Sequence, residues 1–157
     1  KVLWVGGVGL GNARIVENTG KASEGAVHNA TYDKDATTEM NQSYVKRLLA
    51  KVPKETPHWP AANCYDAMKI LAHAITTAGI TNTPNTLEAD RKKVRDALAR
   101  VKDFPGLTSA DGKITMVDMG PDGKHAGDAI KRGTLIQIQN GKFVPVGEGK
   151  AASLQMR

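Results

Sequence analysis

The chain has 157 residues, of which 40% are hydrophobic and 24% charged, a composition typical of a globular domain. No apolar run approaches the roughly 18 residues that a membrane-spanning helix needs, which excludes such a span. The net charge is +6, but acids lie between the basic residues and aromatic residues make up only 4% of the chain, which argues against a nucleic-acid partner.

The first predicted elements are a strand and a glycine loop. Residues 2–5 form a short apolar run, and residues 6–11 read Gly-Gly-Val-Gly-Leu-Gly, an order typical of α/β proteins. The apolar run stands at the very start of the sequence, so we expect the chain to begin inside a strand. A second strand is predicted over residues 25–30, and the weak periodicity of Ile15, Val16 and Ala22 leaves a short helix or a loop between the two.

Three amphipathic helices follow. Apolar residues at helical spacing predict the first over residues 37–52, ending before Pro53. The second runs from Pro60 to Gly79 and carries an apolar stripe: Tyr65, Met68, Leu71, Ala72 and Ile75. The third is expected to start at an Asn85 cap with Glu88 three residues on, and to bury Leu87, Val94, Ala97, Leu98 and Val101.

The last part of the chain changes to strand-like patterns. Residues 113–117 predict one strand, and residues 134–139 alternate strictly between apolar and polar. Asn140 and Gly141 separate that run from residues 142–146. Asn-Gly between two such runs predicts a β-hairpin with a type I′ turn.

No motif in the chain indicates catalysis, a metal or a nucleotide. A G-x-G-x-x-G match starting at Gly7 meets Asn12 at its last position, and no Gly-Lys-Ser/Thr follows. The four histidines lack metal-ligand spacing, and the single cysteine, Cys64, excludes an internal disulfide and is expected to be buried on its helix. We therefore expect a binding module and not an enzyme, without cofactor or metal.

Four segments together resemble the C-terminal half of the type I periplasmic binding proteins of ABC transporters, in the leucine/isoleucine/valine-binding subfamily. Each is weak alone, but their order and separation cover nearly the whole chain. They are Gly-Leu-Gly-Asn-Ala at 9–13 with residues 20–25 and 32–33; Ala-Ala-Asn-Cys-Tyr-Asp-Ala at 61–67; residues 94–98 with Phe-Pro-Gly-Leu-Thr at 104–108; and residues 136–146.

The resemblance implies an α/β fold of two doubly wound lobes with a small solute bound between them. Residues 1–31 would complete the second lobe, residues 32–132 would supply part of the first lobe, and residues 133–157 would return as a hairpin to the second. The N-terminal half of the protein would precede this chain. The helices agree with this, because their apolar stripes need more sheet than the chain supplies.

The resemblance also implies ligand-binding residues in the glycine loop, Gly7, Val8 and Gly9, and an aromatic contact at Trp59. Amino-acid-binding members carry an acid at the position that matches Val8, which pairs with the ammonium group of the ligand. Valine there places an α-amino-acid ligand in doubt and favours an aromatic or branched carboxylate, unless an acid elsewhere takes the role. For Trp59, an ordinary packed side chain is an equal alternative.

The implied function is the extracytoplasmic solute-binding component of an ABC importer. Such a protein lies in the periplasm, or is membrane-anchored outside a Gram-positive cell, and its partners are a small solute and a membrane permease. The alternative is a sensory or regulatory domain of the same fold, which signals instead of delivering its ligand.

Overall fold

The structure, a computed structural model, describes residues 3–119 and 126–148. Within these residues there are four α-helices and seven β-strands: three helices follow one another in the middle of the chain, and five strands follow the last of them. The helices are α1 (Ala13–Thr19), α2 (Glu39–Lys51), α3 (Trp59–Ala78) and α4 (Leu87–Leu98). The strands are β1 (Val5–Gly6), β2 (Val27–Ala30), β3 (Phe104–Pro105), β4 (Lys113–Met119), β5 (Ala126–Ile130), β6 (Thr134–Gln139) and β7 (Lys142–Glu148).

Strands from both ends of the described chain share one four-stranded sheet in the order β1-β2-β6-β7. Strands β1 and β2 are parallel, and β6 is antiparallel to both of its neighbours. We call this sheet with α1 the sheet unit, residues 3–31 and 133–148. The first strand was predicted over residues 2–5; it covers only Val5–Gly6, and Val2 lies outside the described residues.

The predicted hairpin is confirmed. Strands β6 and β7 pair from Thr134 with Glu148 to Gln139 with Lys142, and only the Asn-Gly dipeptide lies between them. Asn140 has a φ of 52° and Gly141 a φ of 71°, the left-handed values that a type I′ turn requires. Glu24 supports this turn, because its carboxylate accepts hydrogen bonds from the backbone N–H groups of both turn residues.

The other elements form a second body, which we call the helical unit, residues 32–119 and 126–132. Its three helices confirm the predicted order, and α2 and α3 lie within two residues of the predicted bounds. Helix α4 is shorter than predicted, because it ends at Leu98 and does not include Val101. The predicted Asn85 cap is wrong, because a 3₁₀ turn over Pro84–Thr86 precedes α4. Thr83 and Thr86 bond reciprocally at the start of that turn.

A three-stranded antiparallel sheet in the order β3-β4-β5 closes the helical unit. Strand β4 was predicted, whereas β3 and β5 were not. Val101 of the chain after α4, Ile70 of α3 and Ile114 of β4 form one apolar cluster. A second cluster comprises Tyr32, Tyr44, Ala62 and Leu107, so two small cores hold the helices in place.

Helix α3 buries a face other than its apolar stripe. Its buried residues are Ala62, Asp66, Ile70 and Ala74, at a spacing of four. In the predicted stripe, Met68 is 65% exposed, Leu71 37% and Ile75 40%. Leu87 of α4 and Cys64 were expected to be buried, and both are exposed.

A buried carboxylate explains why the small face of α3 is turned inward. Asp66 is 2% exposed and accepts hydrogen bonds from the backbone N–H groups of Leu107 and Thr108 and from the Thr108 hydroxyl. Lys131 in turn donates to Thr108 Oγ1 at 2.8 Å and to Asn63 Oδ1 at 2.9 Å. One polar cluster therefore fastens α3, the loop after β3 and the segment after β5 together.

Candidate functional site

The glycine loop lies where the edge strand β1 ends. Gly7 precedes a 3₁₀ turn over Val8–Gly11, which the hydrogen bond from Leu10 N to Gly7 O closes at 3.1 Å. The Leu10 side chain lies over Gly6, where it would have to move to make room for a Cβ. The loop thus bends back onto the strand it follows.

Two of the three predicted contact residues of this loop face open space. Gly7 and Gly9 are exposed, and a Cβ added to either one would meet no atom within 4 Å. Val8 between them is half-buried. The loop therefore presents a backbone edge and one apolar side chain, with no acidic residue in it.

Trp59 lies in the helical unit, at the first position of α3. It is half-buried and packs against the cluster formed by Tyr32, Tyr44, Ala62 and Leu107. The glycine loop is not a member of that cluster. The structure thus places Trp59 on packed apolar neighbours and places Gly7, Val8 and Gly9 at the edge of the other unit.

A cavity of about 420 Å³ lies where the two units meet. Its wall includes the end of β2 and the start of α2, the loop between β3 and β4, and parts of β6 and β7. Residues that line it include Thr31, Tyr32, Asp33, Asn41, Leu107, Ser109, Asp111 and Thr134. None of the four predicted contact residues, Gly7, Val8, Gly9 and Trp59, lines this cavity.

Two buried polar atoms beside this cavity lack a hydrogen-bond partner in the part of the chain that the structure describes. They are the Tyr32 hydroxyl and Asn41 Oδ1. The amide nitrogen of Asn41 is fully used, because it donates to Lys34 O and Ala36 O at 2.9 Å each. Burial is the main cause that raises the pKa of Tyr32, so its hydroxyl stays protonated at neutral pH.

The charged groups around the cavity differ in their partners. Asp111 accepts a hydrogen bond from the Ser109 hydroxyl, the main cause of its lowered pKa, and forms an ion pair with Arg132 at 3.2 Å. Asp33 accepts a hydrogen bond from Asp35 N. Burial lowers the pKa of Lys131, and the nearby Asp66 carboxylate opposes that shift.

The described residues hold no grouping of histidine, cysteine and acidic side chains that could bind a metal. His28 is buried beside Gly11 and the Phe143 ring, with its Nδ1 on the carbonyl of Asn29, and His125 lies outside the described residues. Asp66 is committed to backbone and hydroxyl donors. In these residues the arrangement suits the binding of a small molecule and offers no paired nucleophile and base.

Sequence reasoning missed the residues that line the cavity. Tyr32 and Asn41 stand on either side of a polar stretch, in which neither shows a recognisable motif. Asp66 carried one usable signal, since it is the only acid at the four-residue spacing of Ala62, Ile70 and Ala74. An acidic residue on the same helix face as several small residues indicates a buried carboxylate that bonds the helix to a neighbouring segment.

The model of one protein family, described as periplasmic binding protein, matches residues 2–142 of the chain. Comparison with curated protein sequences gave no match. No helix among the described residues has the length and apolar character needed to cross a bilayer.

Three solved structures show what the fold is similar to. A leucine-binding protein from Thermotoga maritima is 25% identical, with a TM-score of 0.68 over 93% of this chain and 37% of that one. A branched-chain amino acid transporter substrate-binding protein from Streptococcus pneumoniae, in complex with isoleucine, is 22% identical (TM-score 0.64; 96% of this chain, 36% of that one). A solute-binding protein of an ABC transporter from R. palustris, in complex with benzoate, is 21% identical (TM-score 0.61; 90% and 34%).

The chain matches only part of each of these structures. The chain spans little more than a third of the Thermotoga protein, 37% of its length. It nevertheless reproduces the α/β arrangement over nearly all of its own residues.

Proposed function

The chain belongs to the periplasmic binding protein family, and we propose that it forms the C-terminal half of the solute-binding component of an ABC importer. The observation that carries the proposal is the family match over residues 2–142. The structural similarity to the Thermotoga leucine-binding protein, which covers 93% of the chain, supports it. Members of the family bind solutes in the periplasm or outside the cell. The periplasm is the compartment that we propose here, with a membrane permease as the partner.

The arrangement of exposed apolar residues supports a two-lobed protein. Met68, Leu71 and Ile75 make an apolar stripe along α3 at a spacing of three and four, and its residues are exposed. Trp4 and Val5 leave a second apolar surface exposed at the edge strand β1. Contiguous apolar surfaces of this kind usually mark an interface. We assign α3 to the first lobe and β1 to the second, each covered by sheet from the N-terminal half.

We propose that the solute binds between the lobes beside the glycine loop. The carboxyl ends of strands are the usual ligand-binding edge of an open α/β sheet, and residues 7–9 follow β1 at that edge. Backbone N–H groups there can donate hydrogen bonds to a carboxylate of the solute. Gly7 and Gly9 leave the loop open to a ligand because neither has a side chain to block its approach.

Val8 determines the solute class that we favour. An ammonium group buried in the cleft without a carboxylate partner would lose roughly 2 to 5 kcal/mol. An apolar side chain fits a ligand whose corresponding end is uncharged, such as an aromatic or branched aliphatic carboxylate. The benzoate complex of the R. palustris protein shows that one protein of this fold binds such a solute.

The binding function is tested by a thermal-shift screen of the full-length protein against aromatic carboxylates, branched-chain carboxylates and amino acids. A bound solute raises the melting temperature because it stabilises only the native state. We expect at least one carboxylate to do so and to be recovered chemically unchanged. Conversion of that solute by the pure protein would overturn the proposal, and so would a screen without any stabilising solute.

A further inference from the structure

A buried histidine lies between the glycine loop and the sheet. His28 stands on the inner strand β2, where it pairs with Gly6 of β1 on one side and with Ile136 of β6 on the other. Only 2% of the residue is exposed. The 3₁₀ turn over Val8–Gly11 packs against β2. The position of the loop above the sheet therefore depends on what β2 presents to it.

The closest approach of the loop to this histidine is at Gly11. A Cβ built on Gly11 would lie 3.0 Å from His28 Cε1, 3.7 Å from Nδ1 and 3.8 Å from Nε2. The first distance is shorter than the roughly 3.5 to 4.0 Å of a favourable carbon contact, so the ring would have to move to admit a side chain. The φ of Gly11 is not among the positive values of the described glycines, so an alanine there meets the ring without backbone strain.

Two contacts hold the His28 ring in place beneath Gly11. Nδ1 lies 2.9 Å from the carbonyl oxygen of Asn29, and because a carbonyl can only accept, Nδ1 carries a proton and donates it. The ring of Phe143 on β7 meets the imidazole edge to face, with 5.6 Å between the ring centres and 86° between the ring planes. Nε2 has no hydrogen-bond partner among the described residues, so these two contacts set the orientation of the ring.

The segment that carries the loop needs support from the sheet. Helix α1, which follows the loop, has seven residues, and isolated helices shorter than about 12 residues are marginal in water. The 3₁₀ turn before it contains no buried residue. Val16 of α1 lies near the hairpin turn, since a Cβ on Gly141 would be 3.6 Å from its Cγ1. His28 supports the other end of the segment, at Gly11 and thus close to the proposed contact residue Gly9.

We propose that His28 is a positioning residue for solute binding: its ring sets how closely the glycine loop approaches the sheet, and thereby where residues 7–9 lie in the cleft. The inference rests on the proposed function, because it takes this loop as the solute contact. His28 itself does not touch the solute, since it is buried beneath Gly11. A change in the size of either side chain moves the loop and weakens binding, although every solute contact is still present.

The first test needs no solute and uses the full-length protein labelled with ¹⁵N-glycine. The amide resonances of Gly7 and Gly9 are identified by their loss in Gly7→Ala and Gly9→Ala. We expect both resonances to move in His28→Ala and in Gly11→Ala. They should move far less in Val27→Ala, because Val27 is equally buried on the same strand but its side chain points to the opposite face of the sheet.

The second test is calorimetric titration of the same variants with benzoate. Gly11→Ala and His28→Ala should each weaken benzoate binding at least about fivefold, because overpacking and a void both displace the loop. Val27→Ala should leave the affinity within about twofold of the wild type. Circular dichroism checks that each variant is folded at the temperature of the titration.

The double variant separates positioning from a general loss of structure. Alanine at position 28 leaves room for a Cβ at position 11, so adding Gly11→Ala to His28→Ala should weaken benzoate binding by less than about twofold further. A general loss of structure would instead give losses that add. If His28→Ala does not fold, His28→Asn takes its place in both tests.

Two outcomes would overturn the proposal. The first is that the Gly7 and Gly9 resonances stay in place in both His28→Ala and Gly11→Ala. The second is that Gly11→Ala costs the same benzoate affinity whether residue 28 is histidine or alanine, since the ring would then not mediate the effect. Failure of the wild type to bind benzoate would concern the proposed solute class and not His28, whose role the glycine resonances would then decide.

Discussion

The two long faces of helix α3 differ in the residues they carry and in whether they are buried. One face carries two alanines, an isoleucine and one acid, and it is buried: Ala62, Asp66, Ile70 and Ala74. The opposite face carries Met68, Leu71 and Ile75, and it is exposed. In most globular proteins the larger apolar face would be turned inward.

We infer from this difference that the two faces have different partners. The small face lies against the chain's own loop, because Asp66 needs the N–H donors of Leu107 and Thr108 and alanines allow close approach. The large face has no partner among the described residues, and in our account it packs on sheet from the N-terminal half. On this view the exposed apolar face of α3 forms the contact with the N-terminal half of the protein. The buried carboxylate of Asp66 forms the contact within the C-terminal half.

The largest effect is expected from Asp66→Ala on the buried face. The substitution leaves two buried N–H groups and the Thr108 hydroxyl without their acceptor, and it removes the acid near Lys131. We expect a loss of about 4 kcal/mol in the free energy of unfolding, measured with urea on the full-length protein. Asp35→Ala is the matched control and should change it by less than about 0.5 kcal/mol, because Asp35 forms only an exposed ion pair. A loss no larger than that of the control would refute the anchoring role.

The next effect concerns the exposed face. If the N-terminal half covers it, Leu71→Ala and Ile75→Ala in the full-length protein should each lower the free energy of unfolding by about 2 to 3 kcal/mol. Lys69→Ala, an exposed position on the same helix, should have little effect. Urea unfolding of the three variants decides the point. Losses below about 0.5 kcal/mol for both apolar positions would mean that this face stays in solvent. The inferred contact with the N-terminal half would then be wrong.

A smaller effect is expected at alkaline pH from Tyr32, next to the buried face. Burial raises the pKa of Tyr32 above its unfolded value of 10.0, so above that pH the unfolded chain loses a proton that the folded chain retains. Stability therefore falls as pH rises beyond the unfolded value, by up to about 1.4 kcal/mol per pH unit from this group.

Tyr32→Phe removes this contribution. Between pH 10 and pH 11 the variant should lose about 1 kcal/mol less stability than the wild type in urea unfolding. Parallel losses in the two proteins would show that Tyr32 ionises as easily in the folded state as in the unfolded state.

The sequence predicted the elements whose signals are local. The Asn140-Gly141 turn needs only its own two residues and their left-handed φ, and the three long helices need only periodicity and a terminator such as Gly79. Strand β5 was missed because Ala-Gly-Asp-Ala-Ile does not alternate, and its strand conformation depends on pairing with β4. The cap at Thr83 was missed because Asn85 offers the same local chemistry two residues later.

The site was less predictable than the fold. Gly7, Val8 and Gly9 came from a resemblance to a family, and so did Trp59. The apolar stripe of α3 was predicted but its buried face was not, because periodicity reports where apolar residues lie and not which partner covers them. Tyr32 and Asn41 of the cavity come together only through the fold, since α2, the loop after β3 and the strands of the sheet unit all contribute to its wall.

In the function that we propose, the glycine loop contacts a solute and Val8 selects its class. The most direct measurement is calorimetric titration of the full-length protein and its Val8→Glu variant with the carboxylate found in the screen. We predict that Val8→Glu weakens this binding at least about tenfold, on the order of 1.4 kcal/mol. Asn18→Glu, the same charge change at an exposed residue of α1, should leave it unchanged. Tight binding of leucine or another α-amino acid to the wild type, unaffected by Val8→Glu, would contradict the claim.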